Sequence, residues 1–318
     1  MVQPYLLKRE IIYNILKCPI KIPLNDLYAW EHFPKFNKVY NKIYISKSQN
    51  IPCAPFGLTP NTFPVIIKPI TNLYGMGWDS KVAHNKDEYY DDIKSGSFWM
   101  SFLKGDHLSI DFAILNGKIK WYCCFKGYPS KQGMFDYWET LPNYSISFYI
   151  YKWISIHLKN YTGCINIETI GGKIIECHLR MGDINQLHSL SLFKEIIKLY
   201  EKKEWSLKKI TIPKIYLVPI FVPYNTIINI THKEIIDICN IVDPNEEYIY
   251  TYQKDPPQTK SINPPGGVRI ANINTICLKH GLDVRKKILI LVKKKKIKRW
   301  ITISVYIILI CYIFYKSI

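Results

Sequence analysis

Two β-hairpins on either side of a helix constrain this chain more than any other feature of it. Leu108–Leu115 and Lys118–Phe125 are strand-like runs joined by Asn116-Gly117, a pair whose residues tolerate the positive φ angles of a tight two-residue turn. Cys164–Ile170 and Lys173–Leu179 repeat that design around Gly171-Gly172. Between them, Ser145–Asn160 sets Ile146, Tyr149, Ile150, Trp153, Ile154 and His157 at helical spacing. Hairpins alternating with helices predict an α+β fold built on antiparallel sheets.

The remaining elements are sketched around that centre. A helix is expected at Lys8–Leu16, and an aromatic-rich stretch around Trp30–Tyr40 carries no motif. Turn formers from Pro52 to Pro64 lead into the short strand Val65–Pro69, followed by Gly75-Met76-Gly77 and an acidic helix at Asn85–Ile93. Tyr137 and Trp138 fall in a loop between the hairpins, where they are candidates to line a substrate pocket. Further on come a helix at Leu192–Lys203, strands at Pro213–Pro223 and Val268–Ile273, and a helical stretch from Thr275. The expected division is a short N-terminal segment (1–50), a first lobe (51–103), a second lobe (104–204), a C-terminal α/β lobe (205–292) and a tail (293–318).

Part of the excess positive charge is concentrated near the C-terminus. Of a formal +18, a cluster from Lys286 to Arg299 stands directly before the uncharged stretch Trp300–Tyr315. That stretch makes about 24 Å of helix at ~1.5 Å per residue, slightly short of a ~30 Å hydrocarbon core. The expectation is a single C-terminal transmembrane helix with the body on the cytosolic side, and no specific nucleic-acid partner. Nine cysteines form neither a CxxC pair nor a metal-ligand spacing, which fits free thiols. The chain has no GxxxxGK[ST], GxGxxG helix start, HExxH or GxSxG.

A phosphate-handling site needs cations, a glycine loop whose amides approach oxygen, and carboxylates for a divalent metal. Lys68, the Gly75/Gly77 loop, Glu168 and Glu176 supply these in order, and the last two are close to opposite across the second hairpin's turn. Glu176 and His178 project from one strand face, which Arg180 extends. The same alternation also suits a solvated face of an antiparallel sheet.

The order Asn41-Lys42, Ile51-Pro52-Cys53-Ala54-Pro55, Phe63-Pro64-Val65-Ile66-Ile67-Lys68-Pro69 and Gly75-Met76-Gly77 resembles the first half of ATP-grasp enzymes. Phe102–Asp111, Thr162–Glu168 and Ile174–Arg180 resemble the second half, so the likeness covers about residues 38–190. It implies two α+β lobes clasping ATP. Lys42 and Lys68 would contact phosphates under a Gly75/Gly77 loop, Met100, Phe102 and His107 would lie along the nucleoside, and Glu168, Glu176 and His178 would hold Mg²⁺, or Mn²⁺. Arg180 would stabilise an acyl-phosphate. Met100 and His178 depart from the family's usual Glu and Asn. The activity implied is an ATP-dependent ligase joining a small-molecule carboxylate to an amine or similar nucleophile at a membrane face. The other reading is a membrane-anchored, non-catalytic nucleotide-binding or scaffold protein of the same fold.

Overall fold

The computed structural model describes residues 9–73, 77, 79–131, 133–182, 189–207, 212–246, 249–252, 263–264 and 266–295. The chain forms two compact units, one of residues 7–215 with 259–266, the other of 1–6, 216–258 and 267–318.

The larger unit opens with helices α1 (Arg9–Ile15) and α2 (Asp26–His32), a 3-10 turn at Pro34–Tyr40 and helix α3 (Lys42–Lys47). Strands β1 (Cys53–Pro55), β2 (Val65–Pro69), β3 (Lys81–Ala83) and β4 (Ser97–Ser101) make a four-stranded antiparallel sheet in the order β1-β4-β2-β3. Helix α4 (Lys86–Asp92) begins at an Asn85 cap whose side chain accepts from the Glu88 amide. Val65, Ile67, Ala83, Tyr89 and Trp99 form the apolar layer of this lobe.

A second antiparallel sheet runs β7-β6-β5-β8-β9, from β5 (His107–Leu115), β6 (Lys118–Pro129), β7 (Phe135–Thr140), β8 (Gly163–Ile170) and β9 (Lys173–His178). Both hairpin turns have the expected left-handed pairs, Asn116/Gly117 and Gly171/Gly172. Tyr137 and Trp138 lie in strand β7, not in the expected loop, and pair with Tyr128 and Gly127. Gly127 leaves room for the rings of Phe135 and Trp138, which a Cβ there would meet at 2.7 Å.

The two faces of this sheet differ in chemistry. Leu108, Ile110, Phe112, Ile165 and Ile167 pack with Ile150, Trp153 and Ile154 of helix α5 (Phe148–His157) in the main core. The opposite parity carries His107, Ser109 and Asp111 on β5, Asn166 and Glu168 on β8, and Glu176 and His178 on β9. Helix α6 (Leu190–Lys202) packs on β8, where the Tyr200 hydroxyl accepts from the Cys164 amide.

The smaller unit joins β10 (Tyr216–Val222), β12 (Val268–Thr275) and β11 (Ile249–Tyr252) antiparallel, with β12 between the other two. Because its strands are antiparallel, this lobe is not the α/β arrangement expected from sequence. Helix α7 (His232–Val242) starts with a capping box between Thr231 and Glu234, and a further helix covers 278–295.

The expected transmembrane helix requires correction. No helix among the described residues is long and apolar enough to cross a membrane. The helix over 278–295 carries Lys286, Lys287, Lys293, Lys294 and Lys295, a charge load that a bilayer interior penalises heavily. Residues 300–315, where the span was expected, lie outside the described residues. The membrane anchor, the membrane face and a single-pass localisation are therefore without support.

Candidate functional site

Lys42 owes its position to two docking contacts of helix α3. The Asn41 side chain caps the helix, and the Lys42 amide donates to the Ile70 carbonyl at 2.9 Å, tying the helix start to the end of β2. Just past the helix, the Gln49 side-chain amide exchanges two 2.7 Å hydrogen bonds with the backbone of Ile174, and so continues the ladder at the edge of β9. The Lys42 ammonium, 5% exposed, comes to 3.1 Å from Glu176 Oε1.

Lys68, on β2, is 4% exposed. Burial pulls its pKa down to about 8, with Lys42 adding to the effect and Glu176 and Glu168 opposing it. Glu168 and Glu176 are register partners across β8 and β9. Burial opposes ionisation of Glu176, yet Lys42, His178 and Lys68 together hold its carboxyl well below the usual range. Glu168 is met by His107 Nε2 at 3.1 Å, and the His107 ring sits edge-on to Phe135 and Trp138 with centroids 5.0 and 5.7 Å away.

His178 stands between two carboxylates, with Nδ1 3.1 Å from Asp26 Oδ2 and Nε2 3.3 Å from Glu176 Oε2. Burial, and Arg180 nearby, disfavour its charge, but Asp26 and Glu176 together more than offset them and the pKa rises to about 9. Each ring nitrogen is thus directed at a carboxylate oxygen of the protein, Nδ1 at Asp26 and Nε2 at Glu176. Asp26 in turn takes Arg180 Nε at 3.1 Å and Nη2 at 2.7 Å, and the Tyr40 hydroxyl at 3.1 Å. Against burial, His178 and Arg180 keep the Asp26 carboxyl ionised far into acid. Removing one partner of such a buried network costs about 3–5 kcal/mol, so Arg180 is committed to Asp26 and is not an open fork.

Lys42, Lys68, Glu168, Glu176 and His107 thus come together, with His178 joined directly at Glu176 and Arg180 joined through Asp26 and His178. A small, partly open recess beside them is lined by Tyr40, Lys42, Asn72, Glu176 and His178, among others. Met100 is elsewhere in character: it is 1% exposed and packs with Ile51, Phe98 and Ile175. Phe102, just beyond β4, is 39% exposed. Gly77 has φ +63 with open space around it, and Gly75 lies outside the described residues.

The two glutamates are hard oxygen donors on one face, with side chains 29% and 19% exposed, and suit one hard divalent cation. Among the described residues, Asp243, Glu246 and His280 of the smaller unit are the trio whose ligand atoms lie within 4.8 Å of one another. Glu246 already accepts from the Ile276 amide, the Thr275 hydroxyl and His280 Nδ1, so hydrogen bonds account for that cluster. Sequence reasoning missed Asp26 and Tyr40. Neither has a local pattern to mark it, because their partners lie on β9 and just beyond it.

The fold is that of the ATP-grasp proteins. Among solved structures, carboxyaminoimidazole ribonucleotide synthase from Aspergillus clavatus, complexed with ATP, is similar with TM-score 0.54 and 11% identity, over 85% of this chain and 79% of that one. N5-carboxyaminoimidazole ribonucleotide synthetase from Thermus thermophilus gives 0.54 at 10% identity, over 91% and 85% of the two chains. An L-amino acid ligase from Bacillus licheniformis gives 0.53 at 11%, over 89% and 77%. No protein-family model matches the sequence, and a search of curated proteins gives no match.

Proposed function

We propose that this protein is an ATP-dependent ligase that activates a small-molecule carboxylate as an acyl-phosphate for attack by an amine or similar nucleophile. One observation carries the reading: two buried lysines, Lys42 and Lys68, converge on Glu176, opposite Glu168, in a fold shared with a synthase complexed with ATP. Lys42 and Lys68 would neutralise phosphate oxygens where burial strengthens each charge. Glu168 and Glu176 would hold Mg²⁺, or Mn²⁺, which when bound offsets the charge of the transferring phosphoryl group. Binding the cation requires Glu176 to share its oxygens between the metal and Lys42. His107 orients Glu168, and Arg180 enters through Asp26 instead of reaching for substrate.

Chemistry of this kind rests on positioning and charge neutralisation and requires no serine or cysteine nucleophile. The products distinguish it from adenylate formation. Incubation with ATP, Mg²⁺ and a panel of carboxylates and amines yields ADP and phosphate in a carboxylate-dependent manner. AMP and pyrophosphate as products, or no ATP binding by folded protein, overturns the proposal.

A further inference from the structure

The geometry points to Asp26 as the positioning residue of this site: it fixes the His178 ring, and through that ring the Glu176 carboxylate, without touching nucleotide or metal itself. Asp26 is the first residue of helix α2, 2% exposed, and far in sequence from His178 and Arg180. Its two oxygens take four contacts. Oδ1 accepts from Tyr40 and Arg180 Nε, and Oδ2 accepts from Arg180 Nη2 and His178 Nδ1.

Those contacts leave the imidazole little rotational choice. With Nδ1 tied to Asp26, Nε2 is directed at Glu176 Oε2. Glu176 is then held from two sides, Oε2 by His178 and Oε1 by Lys42, and its remaining lone pairs have a defined direction for a cation or a phosphate-bound water. The Tyr40 hydroxyl also accepts from the Leu179 amide at 3.1 Å, which ties the chain just after β9 to the same anchor. Arg180 also donates to the Met181 carbonyl, which steadies the guanidinium against Asp26. Partners of this outer kind orient the groups that bind directly, and their loss typically weakens metal affinity about 10- to 100-fold.

The inference rests on the ATP reading for its functional consequence, but its structural core is testable without nucleotide. Asp26→Asn keeps the shape and removes the charge, and Tyr40→Phe removes the hydroxyl's two hydrogen bonds, to Asp26 and from the Leu179 amide, while leaving the ion pairs intact. Both are compared with the full-length wild type and His178→Asn by circular dichroism, by Mg²⁺-dependent ATP titration calorimetry, and by the ¹⁵N resonances of the His178 ring at fixed pH. Asp26→Asn is expected to remain folded, to weaken Mg·ATP binding about 10- to 100-fold, and to shift the Nδ1 resonance. Combining it with His178→Asn should add little, because both act along one path. Tyr40→Phe should weaken binding less and move the same resonance in the same direction.

Wild-type Mg·ATP affinity in folded Asp26→Asn, or fully additive losses in the double variant, overturns the assignment. If the wild type binds no ATP, the nucleotide reading fails, and the ring resonances still decide whether Asp26 positions His178: an unmoved Nδ1 signal in both variants rejects it. If Asp26→Asn does not fold, Tyr40→Phe carries the test, and wild-type affinity with an unmoved Nδ1 signal in that variant overturns the assignment.

Discussion

Glu168 and Glu176 face one another as register partners of β8 and β9, and the sheet gives them different company: His107 for the first, Lys42 and His178 for the second. The pairing places two hard oxygen donors side by side, and Lys42, His178 and Lys68 hold the Glu176 carboxyl well below the usual range. Glu176→Ala should therefore act twice. It leaves Lys42 buried without its carboxylate, at a cost of about 3 kcal/mol in urea unfolding, and it should weaken Mg²⁺-dependent ATP binding at least tenfold by calorimetry.

His178 gives the stability a pH signature. Its pKa is about 9 in the folded chain and ~6.5 when unfolded, so the folded state holds the proton more tightly. That contribution is complete below pH ~6.5 and is lost as pH rises through about 9. Metal-free protein should lose roughly 2–3 kcal/mol across that window in urea titrations, and His178→Gln should flatten the slope. Lys68, pulled down to about 8, works in the opposite sense above that pH, so the steepest loss falls below it.

The edge of β9 is closed by a side chain instead of another strand. Gln49 both donates to and accepts from Ile174, and the same residue steadies the end of α3, on which Lys42 rides. Gln49→Ala should cost about 1–3 kcal/mol by leaving the buried Ile174 amide and carbonyl unpaired. Thermal unfolding measures that loss.

Gly105, at φ +123, passes the β8–β9 turn so closely that a Cβ would stand 2.7 Å from the Gly171 backbone. Gly105→Ala should destabilise by roughly 1–3 kcal/mol through that overlap. The turn beneath Glu168 and Glu176 would shift with it, so a comparable ATP-binding defect is expected in calorimetry.

What the sequence made legible is what depends on neighbours along the chain. The turns Asn116-Gly117 and Gly171-Gly172 declare their hairpins, and the two-residue alternation places Glu176 and His178 on one face of β9. Strand β4 was overlooked, because Phe98, Trp99 and Met100 are all buried and show no alternation. Tyr137 and Trp138 look like loop residues in the sequence, because the glycine that makes room for their strand, Gly127, lies on β6. Asp26 was invisible for a related reason: a lone acid in an aromatic stretch gains meaning only when α2 packs against Arg180 and His178. The charged tail misled more seriously, since a basic run followed by an apolar stretch resembles a membrane anchor whatever the preceding helix does.

The central claim is a Mg²⁺-dependent ATP site built on Lys42, Lys68, Glu168 and Glu176. Titration calorimetry of ATP into the full chain, with Mg²⁺ and then with a chelator, tests it most directly when Lys68→Ala is run alongside. The account predicts binding with Mg²⁺, marked weakening on chelation, and loss in folded Lys68→Ala. Equal binding by wild type and Lys68→Ala, or no binding by folded wild type, would contradict it.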